Sequence, residues 1–343
     1  MKKSIIILAA LLAACTSTNQ EPAIQNADAP FFIGAWALDL EYDNNNAGWL
    51  EVTQEDGYLD AELLWRWGSV NPVEFVFVAE NHLMVTNGRN VVREEDEEGN
   101  PLRTHHLINW LNITKTSADE IYGIAFFPDP NGVEMEKIEF TGKRLPAYGS
   151  KPNMGTISYE KAIELFNGKD LSGWKLLNGD GENGWYVKDG ILINDPVQKE
   201  GEDHIAYGNL QTEDVFNDFT FSLEVNVPEG SNSGIYLRGI YEIQVMDSYG
   251  RELDSHNMGA LYSRITPLVS AEKPANEWQT MEITLYKRHV TVMLNGQVII
   301  NNQPVKGVTG GAISSDEFKP GPLYLQGDHG KVMYRNIVLK PIK

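Results

Sequence analysis

The chain has 343 residues, of which 42% are hydrophobic and 22% are charged, a balance that predicts folded protein with room for two domains. Lys and Arg number 28 against 48 Asp and Glu, so the formal net charge is −20, which argues against a nucleic-acid partner because phosphate contacts need clustered basic residues. There is one cysteine, so an intramolecular disulfide is excluded.

The first residues have the features of a bacterial lipoprotein signal. A basic start, Met1-Lys2-Lys3, precedes an apolar run at residues 5–12, which is too short to span a bilayer as a helix. The run ends in Leu12-Ala13-Ala14-Cys15, which resembles a lipobox, so residues 1–14 are predicted to be a signal peptide. Lipid on Cys15 would then anchor the chain, because each buried CH₂ group strengthens membrane binding. The alternative is a buried thiol in a secreted protein.

Residues 15–30 are polar and lack aromatic side chains, a composition that predicts a flexible tether between the membrane and the folded protein. Thr16, rather than Asp, follows the cysteine, which is typical of lipoproteins sorted to the outer membrane. The predicted location is therefore the bacterial outer membrane, and the choice between its periplasmic and surface sides stays open.

Short strands separated by Asn, Asp and Gly dominate the pattern after Pro30. The clearest are residues 35–40, 48–52, 58–65, 73–78 and 120–126. Their spacing of roughly 8–12 residues predicts a sandwich or barrel, so residues 31–145 are predicted to form an N-terminal β domain.

A segment rich in Pro and Gly, within residues 146–158, is the predicted linker to a second domain at residues 159–343. Ser158 is a good N-cap, which predicts one helical turn at residues 158–163. The strand pattern then resumes, for example at residues 219–225 and 281–285.

Apolar and polar side chains alternate between residues 235 and 246. The polar set includes Arg238, Glu242 and Gln244, and a period of two places such a set on one exposed face of a strand. Gly239 can break this register, so Arg238 is less firmly linked to Glu242 than Gln244 is. An acid, an amide and an arginine on the open face of a sheet outline a sugar-binding surface. The alternative is an ordinary solvated face.

Three further side chains are candidates for sugar contact. His329 stands in the turn Gly327-Asp328-His329-Gly330, whose glycines let the backbone approach a ligand closely. It could instead hydrogen-bond a neighbouring carbonyl. Tyr262 and Trp278 could stack on a sugar ring or be buried aromatic residues of a sandwich.

Several motifs of the second half occur in one order. They are LFNGKDLSGW at residues 165–174, NSGIYLRG at 232–239, YEIQVMD at 241–247, GALY at 259–262 and LQGDHG at 325–330. Through them residues 158–343 resemble the 3-keto-disaccharide hydrolase family (3-keto-glucoside 1,2-lyase/3-keto-2-hydroxyglucal hydratase). The resemblance implies an all-β fold with a C-terminal concanavalin-like jelly-roll sandwich, preceded by a smaller β-barrel-like domain that is similar to lipocalin-like barrels.

The resemblance also implies cleavage of the glycosidic bond of 3-keto-glycosides. A C3 carbonyl acidifies the proton on C2, a base removes that proton, and the C1 substituent leaves by elimination before water is added back. Glu242 is the implied base, and His329 is the implied acid or second base. The implied substrate contacts are Arg238, Gln244, Tyr262, Trp278 and Gln326.

The sequence indicates no definite cofactor, and a divalent metal in place of Arg238 as the electrophile stays open, with Glu242, Asp247 and His329 as candidate ligands. The chain has no nicotinamide or flavin motif, so a separate sugar 3-oxidoreductase is expected to act upstream. The expected partners are therefore the carbohydrate substrate, that oxidoreductase, and a membrane reached through lipid on Cys15.

Two other functions stay open. Residues 242–247 resemble the E-x-D-x-x-E strand of retaining jelly-roll β-glucanases, in which the outer carboxylates are nucleophile and acid/base. Glu242 and Asp247 occupy those outer positions, but Gln244 replaces the middle Asp. A non-catalytic carbohydrate-binding lipoprotein would use the same aromatic and amide side chains without turnover.

Overall fold

The computed structural model describes residues 27–42, 44, 46–177, 179, 181–199, 201 and 203–343, and most of its regular structure is β-strand. The predicted signal peptide, Cys15 and most of the tether lie outside the described residues. The described helices are short, namely α1 (Ala29–Phe32) and a 3-10 turn (Met154–Thr156). Within the described ranges no helix has the length and apolar character needed to cross a membrane.

Nine antiparallel strands form one curled sheet in the first half of the chain. They are β1 (Gly34–Leu40), β2 (Ala47–Gln54), β3 (Leu59–Trp65), β4 (Asn71–Pro72), β5 (Phe75–Ala79), β6 (His82–Glu95), β7 (Pro101–Lys115), β8 (Glu120–Pro128) and β9 (Met135–Arg144). Their order is β4-β3-β2-β1-β9-β8-β7-β6-β5, and β3 also contacts β5 because the sheet curls. Buried side chains such as Trp36, Leu38 and Phe140 fill its core.

Two antiparallel sheets form the second half. Their strands are β10 (Ile163–Glu164), β11 (Trp174–Leu176), β12 (Trp185–Lys188), β13 (Ile191–Asn194), β14 (Leu210–Thr212), β15 (Phe219–Asn226), β16 (Asn232–Leu237), β17 (Tyr241–Met246), β18 (Trp278–Tyr286), β19 (His289–Leu294), β20 (Gln297–Pro304), β21 (Tyr324–Leu325) and β22 (Val332–Pro341).

The larger of these sheets has the order β12-β13-β22-β15-β18-β19-β20, with β10 on β22, and the smaller has the order β11-β14-β21-β16-β17. Buried residues of both, such as Phe221 and Ile243, belong to one apolar core, as expected for a sandwich. The predicted fold class is therefore confirmed: an all-β chain in which a jelly-roll sandwich follows a smaller, barrel-like sheet.

The predicted helical turn at residues 158–163 is wrong. The Glu160 N–H donates to the Pro341 carbonyl at 2.9 Å, and β10 pairs with β22 immediately afterwards. Pairing with the last strand satisfies these backbone groups in an extended conformation, whereas a single helical turn leaves most of its own unpaired.

The curled sheet and the sandwich share an apolar core. Trp49 and Leu64 of the curled sheet pack in the same cluster as residues of the sandwich, and the Arg264 guanidinium lies 4.1 Å from the centre of the Trp49 ring. The Val70 N–H, in the loop after β3, donates to Oγ of Ser263 at 2.9 Å. That loop therefore lies directly against the sandwich.

Candidate active site

The β16–β17 hairpin brings a tyrosine and a glutamate together. Its register places Tyr236 opposite Glu242 and Gly234 opposite Gln244. Residues opposite each other, and residues two apart on one strand, share a face of the sheet. Glu242 and Gln244 therefore lie on one face of the smaller sheet, with Tyr236 beside them.

This face is buried, which corrects the expectation of an exposed sugar-binding surface. Glu242 is 4% exposed and Gln244 is 3% exposed. The segment at residues 309–312 packs against Glu242 and Tyr236: the Glu242 N–H donates to Oγ1 of Thr309 at 2.9 Å, and the Tyr236 hydroxyl donates to the Gly310 carbonyl. Sequence alternation located the face but could not show that a distant loop folds over it.

The Tyr236 hydroxyl carries one proton but has two oxygen neighbours. It lies 2.8 Å from Oε2 of Glu242 and 2.7 Å from the carbonyl oxygen of Gly310. A carbonyl only accepts hydrogen bonds, so both contacts are satisfied when Tyr236 donates to Gly310 and a protonated Glu242 donates to Tyr236. This geometry favours the neutral carboxylic acid.

Burial acts on Glu242 in the same direction. It raises the pKa of the carboxyl to about 8, and only a Tyr236 hydroxyl that donated to the carboxylate instead of to Gly310 would oppose this shift. A Cβ atom at Gly234 would lie 2.3 Å from Oε1 of Glu242, so the glycine on the neighbouring strand leaves the room that the carboxyl occupies. Glu242 is therefore held in place and mostly protonated near pH 7.

Glu242 lies in the wall of a cavity of about 520 Å³, within the range of about 300–1,000 Å³ that is typical of small-ligand sites. The predicted contacts Gln244, Tyr262, Gln326 and His329 line the same cavity. Among the lining residues that the structure describes, none is Lys or Arg. The described walls are therefore aromatic and mostly neutral. Neutral hydrogen-bond donors would have to stabilise any negative charge that develops on a ligand.

Gln244 offers an unpaired acceptor inside the cavity wall. Its Nε2 donates to Oδ1 of Asn232 at 3.1 Å, whereas its buried Oε1 has no hydrogen-bond partner within the described residues. A buried acceptor without a partner costs about 1–3 kcal/mol, which a ligand hydroxyl could offset.

His329 stands at the rim of the cavity and is exposed. Its turn is fixed by Asp328, whose carboxylate accepts the Tyr207 N–H at 2.7 Å and lies 3.2 Å from Nε2 of His204. Although the ring reaches solvent, partial desolvation by the surrounding walls lowers the pKa of His329 below its usual value. His329 is therefore neutral near pH 7 and has a lone pair that can accept a proton.

Arg238 does not lie on this face, contrary to the prediction. It occupies the turn after β16 with a φ of 53°, and Gly239 follows with a φ of 71°, so the chain reverses and the alternation does not continue through them. The Arg238 guanidinium donates to Oδ1 of Asn217 at 3.0 Å and to the Glu317 carbonyl. It lines a second cavity of about 790 Å³.

Trp278 and Asp247 also lie away from the Glu242 cavity. Trp278 begins β18 of the larger sheet, where the Arg335 guanidinium lies 4.0 Å from the centre of its ring. Asp247 follows β17 and accepts the Gly230 N–H at 3.0 Å. Because Asp247 is outside the cavity, the three candidate metal ligands do not converge. The described part of the chain holds no group of three or more His, Cys, Asp or Glu side chains that could bind a metal ion.

The sequence analysis missed Tyr236, Tyr324 and Trp67. Tyr236 did have a signal, because a hairpin turn centred on Gly239 places residues 236 and 242 opposite each other. The Tyr324 ring stacks on Tyr236 with centroids 3.9 Å apart, but it comes from β21, far along the chain. Trp67 comes from the curled sheet, and no local pattern connects it to Glu242.

A jelly-roll sandwich is a fold that lectin domains also use, and a polar, aromatic-walled cavity with a buried acid is suited to a small ligand. The sequence pattern of the 3-keto-alpha-glucoside-1,2-lyase-like domain matches residues 161–340, more than half of the chain, and the chain belongs to this family. This confirms the resemblance found in the sequence and identifies a carbohydrate-active enzyme family. No protein with a curated description matches the chain.

Several solved structures are similar to parts of the chain. A protein described as a glycosyl hydrolase, from Parabacteroides distasonis, is 22% identical, with 53% of this chain and 94% of that chain covered and a TM-score of 0.44. A β-glucanase from Bacillus licheniformis is 12% identical, with 56% and 100% covered and a TM-score of 0.34. The carbohydrate-binding module CBM66 from Bacillus subtilis is 11% identical, with 48% and 93% covered and a TM-score of 0.32.

Proposed function

We propose that this protein cleaves the glycosidic bond of 3-keto-glycosides in the Glu242 cavity, by elimination across C1 and C2 followed by addition of water. The observation that carries the proposal is the buried carboxyl of Glu242, hydrogen-bonded to Tyr236 in a cavity that His329 also lines. Burial raises the pKa of Glu242 to about 8 and desolvation lowers the pKa of His329. An elimination needs an acid and a base in one cavity, and the pKa shifts of these two groups, upward for Glu242 and downward for His329, suit those roles.

The chemistry starts at C2. His329 accepts the C2 proton, and the electrons of that C–H bond form an enolate that extends onto the C3 oxygen. The enolate then re-forms the C3 carbonyl as the C1–O bond breaks, and Glu242 gives its proton to the departing oxygen. Water adds across the new C1=C2 bond, placing OH on C1 and H on C2, which yields the 3-keto-sugar.

This assignment exchanges the roles predicted from the sequence, where Glu242 was the base. We base the exchange on the surroundings of the two groups. The described lining of the cavity contains no Lys or Arg and burial raises the pKa of Glu242, which favours an acid there, whereas desolvation lowers the pKa of His329, which favours a neutral base. The amide side chains of Asn232, Gln244 and Gln326 are the neutral groups available to hold the sugar hydroxyls and the enolate oxygen.

The structure gives little support to the two alternative functions, a retaining glucanase and a non-catalytic carbohydrate-binding protein. A retaining glucanase needs two carboxyl groups about 5–5.5 Å apart on either side of one bond, but Asp247 lies outside the Glu242 cavity and binds the Gly230 backbone. A non-catalytic binder has no need of a buried carboxyl that lacks a cationic partner and lines a ligand cavity, whereas an acid catalyst does.

The test is to compare a 3-keto-glucoside with its parent glucoside in D₂O. We expect cleavage of the keto compound alone, with deuterium entering C2 of the product, because only the ketone makes the C2 proton acidic. Equal hydrolysis of the parent glucoside, or product without deuterium at C2, would contradict the proposal.

We also propose, from the sequence, that the protein is anchored in the outer membrane by lipid on Cys15 and receives its keto-substrate from a sugar 3-oxidoreductase. Mass spectrometry of the mature protein tests the anchor: an N-terminal peptide that begins at Cys15 and carries acyl chains supports it. An unmodified Cys15 would overturn it.

A further inference from the structure

The loop that follows β3 in the curled sheet forms part of the wall of the Glu242 cavity. Trp67 and Gly68 of this loop line the cavity together with Tyr236 and Glu242 of the sandwich. The Trp67 side chain is nevertheless 52% exposed. An aromatic ring that is left open in the wall of a ligand cavity offers a flat apolar surface to a ligand.

The loop is fixed against the sandwich. The Gly311 N–H donates to the Arg66 carbonyl at 2.9 Å. A Cβ atom at Gly310 would lie 2.2 Å from the carbonyl oxygen of Gly68, so glycine at position 310 permits this close approach. The Arg66 guanidinium lies 5.4 Å from the centre of the Trp67 ring. These contacts hold the ring at the cavity.

The same segment connects Trp67 to the acid. A Cβ atom at Gly311 would lie 2.8 Å from the Tyr236 hydroxyl and 3.4 Å from Cζ3 of Trp67, so both side chains approach the same point. Tyr236 in turn contacts Glu242. The Trp67 ring therefore lies near Tyr236, the hydrogen-bond partner of Glu242, and we place Glu242 at the departing oxygen.

We propose that Trp67 is a substrate-binding residue that the curled sheet contributes to the active site, and that its ring stacks on a sugar ring in the leaving group of the 3-keto-glycoside. The position of that ring in the leaving group rests on the proposed function, whereas stacking on a carbohydrate does not depend on the elimination. The curled sheet then has a function of its own, because it completes the cavity and favours substrates with a second ring.

The experiment compares a 3-keto-disaccharide with methyl 3-keto-glucoside, which lacks the second ring. An aromatic stack contributes about 0.5–1.5 kcal/mol, so Trp67→Ala is expected to raise KM for the disaccharide about two- to twelvefold and to leave KM for the methyl glycoside unchanged. Trp67→Phe should restore most of the difference. Tyr58→Ala is the matched control, because Tyr58 is 58% exposed, directly precedes β3 and does not line the cavity.

An equal change for both substrates, or no change for either, would overturn the role of Trp67. If the wild type turns over neither compound, the proposed function fails, and calorimetric titration with the same two compounds decides the role of Trp67 on its own. Tighter binding of the disaccharide that is lost in Trp67→Ala would then support the stacking role. Equal binding of the two compounds, or binding of neither, would contradict it.

Discussion

Among the residues of the sandwich that the structure describes, two glutamates are buried, and they are surrounded differently. Glu317 is 1% exposed, lies 3.0 Å from the Arg288 guanidinium and accepts the Tyr241 hydroxyl at 2.7 Å. Glu242 is 4% exposed and has Tyr236 as its side-chain partner, in a cavity whose described lining contains no Lys or Arg. Burial raises the pKa of both carboxyls, but only at Glu317 do arginines oppose the shift.

Under the proposed function, the difference separates a structural acid from a reactive one. A carboxylate that is buried with arginine and tyrosine donors satisfies those donors, and its removal leaves their charge unpaired. A carboxyl that is buried without a cation stays neutral and can release its proton to a ligand. Glu317 and Glu242 are therefore buried to a similar extent but have different partners. Substitutions at the two positions should have different consequences.

The largest effect is expected from Glu242→Gln. Glutamine keeps the shape of the side chain and can still hydrogen-bond Tyr236, but it has no acid proton to give. We expect kcat/KM for a 3-keto-glycoside to fall by about 10²–10⁴-fold, the range typical of general acid–base groups, while the free energy of unfolding changes little.

Glu282→Gln is the matched control for this substitution. Glu282 is an exposed acid on β18 of the larger sheet, so the same chemical change there should leave both kcat/KM and unfolding unaffected. If Glu242→Gln retained activity comparable to that of Glu282→Gln, Glu242 would not be the acid.

The next largest effect is expected from Glu317→Gln, on stability. Its removal leaves the buried guanidinium of Arg288 without its carboxylate partner, and breaking a buried pair in this way typically costs about 3–5 kcal/mol. Denaturant unfolding should show this loss for Glu317→Gln and not for Glu242→Gln. Equal stability of the two variants would show that the contrast between the two acids is wrong.

The sequence predicted part of the site correctly and part of it wrongly. Alternation of period two correctly placed Glu242 and Gln244 on one face, because that pattern is local to β17. It failed at Arg238, where a turn with positive φ values sends the guanidinium towards Glu317. Local patterns describe one strand, and they do not reveal where the chain turns out of its register.

The burial of Glu242 could not be predicted from the sequence, for a different reason. The segment at residues 309–312 and the Trp67 loop cover the face, and both are distant from β17 along the chain. The pKa of Glu242 depends on its burial, so the sequence could single out Glu242 as a candidate, which it assigned as the base, but could not show its protonation state. The exchange of roles that we propose for Glu242 and His329 therefore rests on contacts between distant parts of the chain.

The most direct test of the account is the pH dependence of kcat/KM for a 3-keto-glycoside. Glu242 must be protonated, so activity should fall as the pH rises through about 8, and His329 must be neutral, so activity should fall as the pH drops through a value below 6.5. The residual activity of Glu242→Gln should lack the alkaline fall. A rate that keeps rising through pH 8 in the wild type would show that Glu242 acts ionised, as a base, and would contradict the central claim.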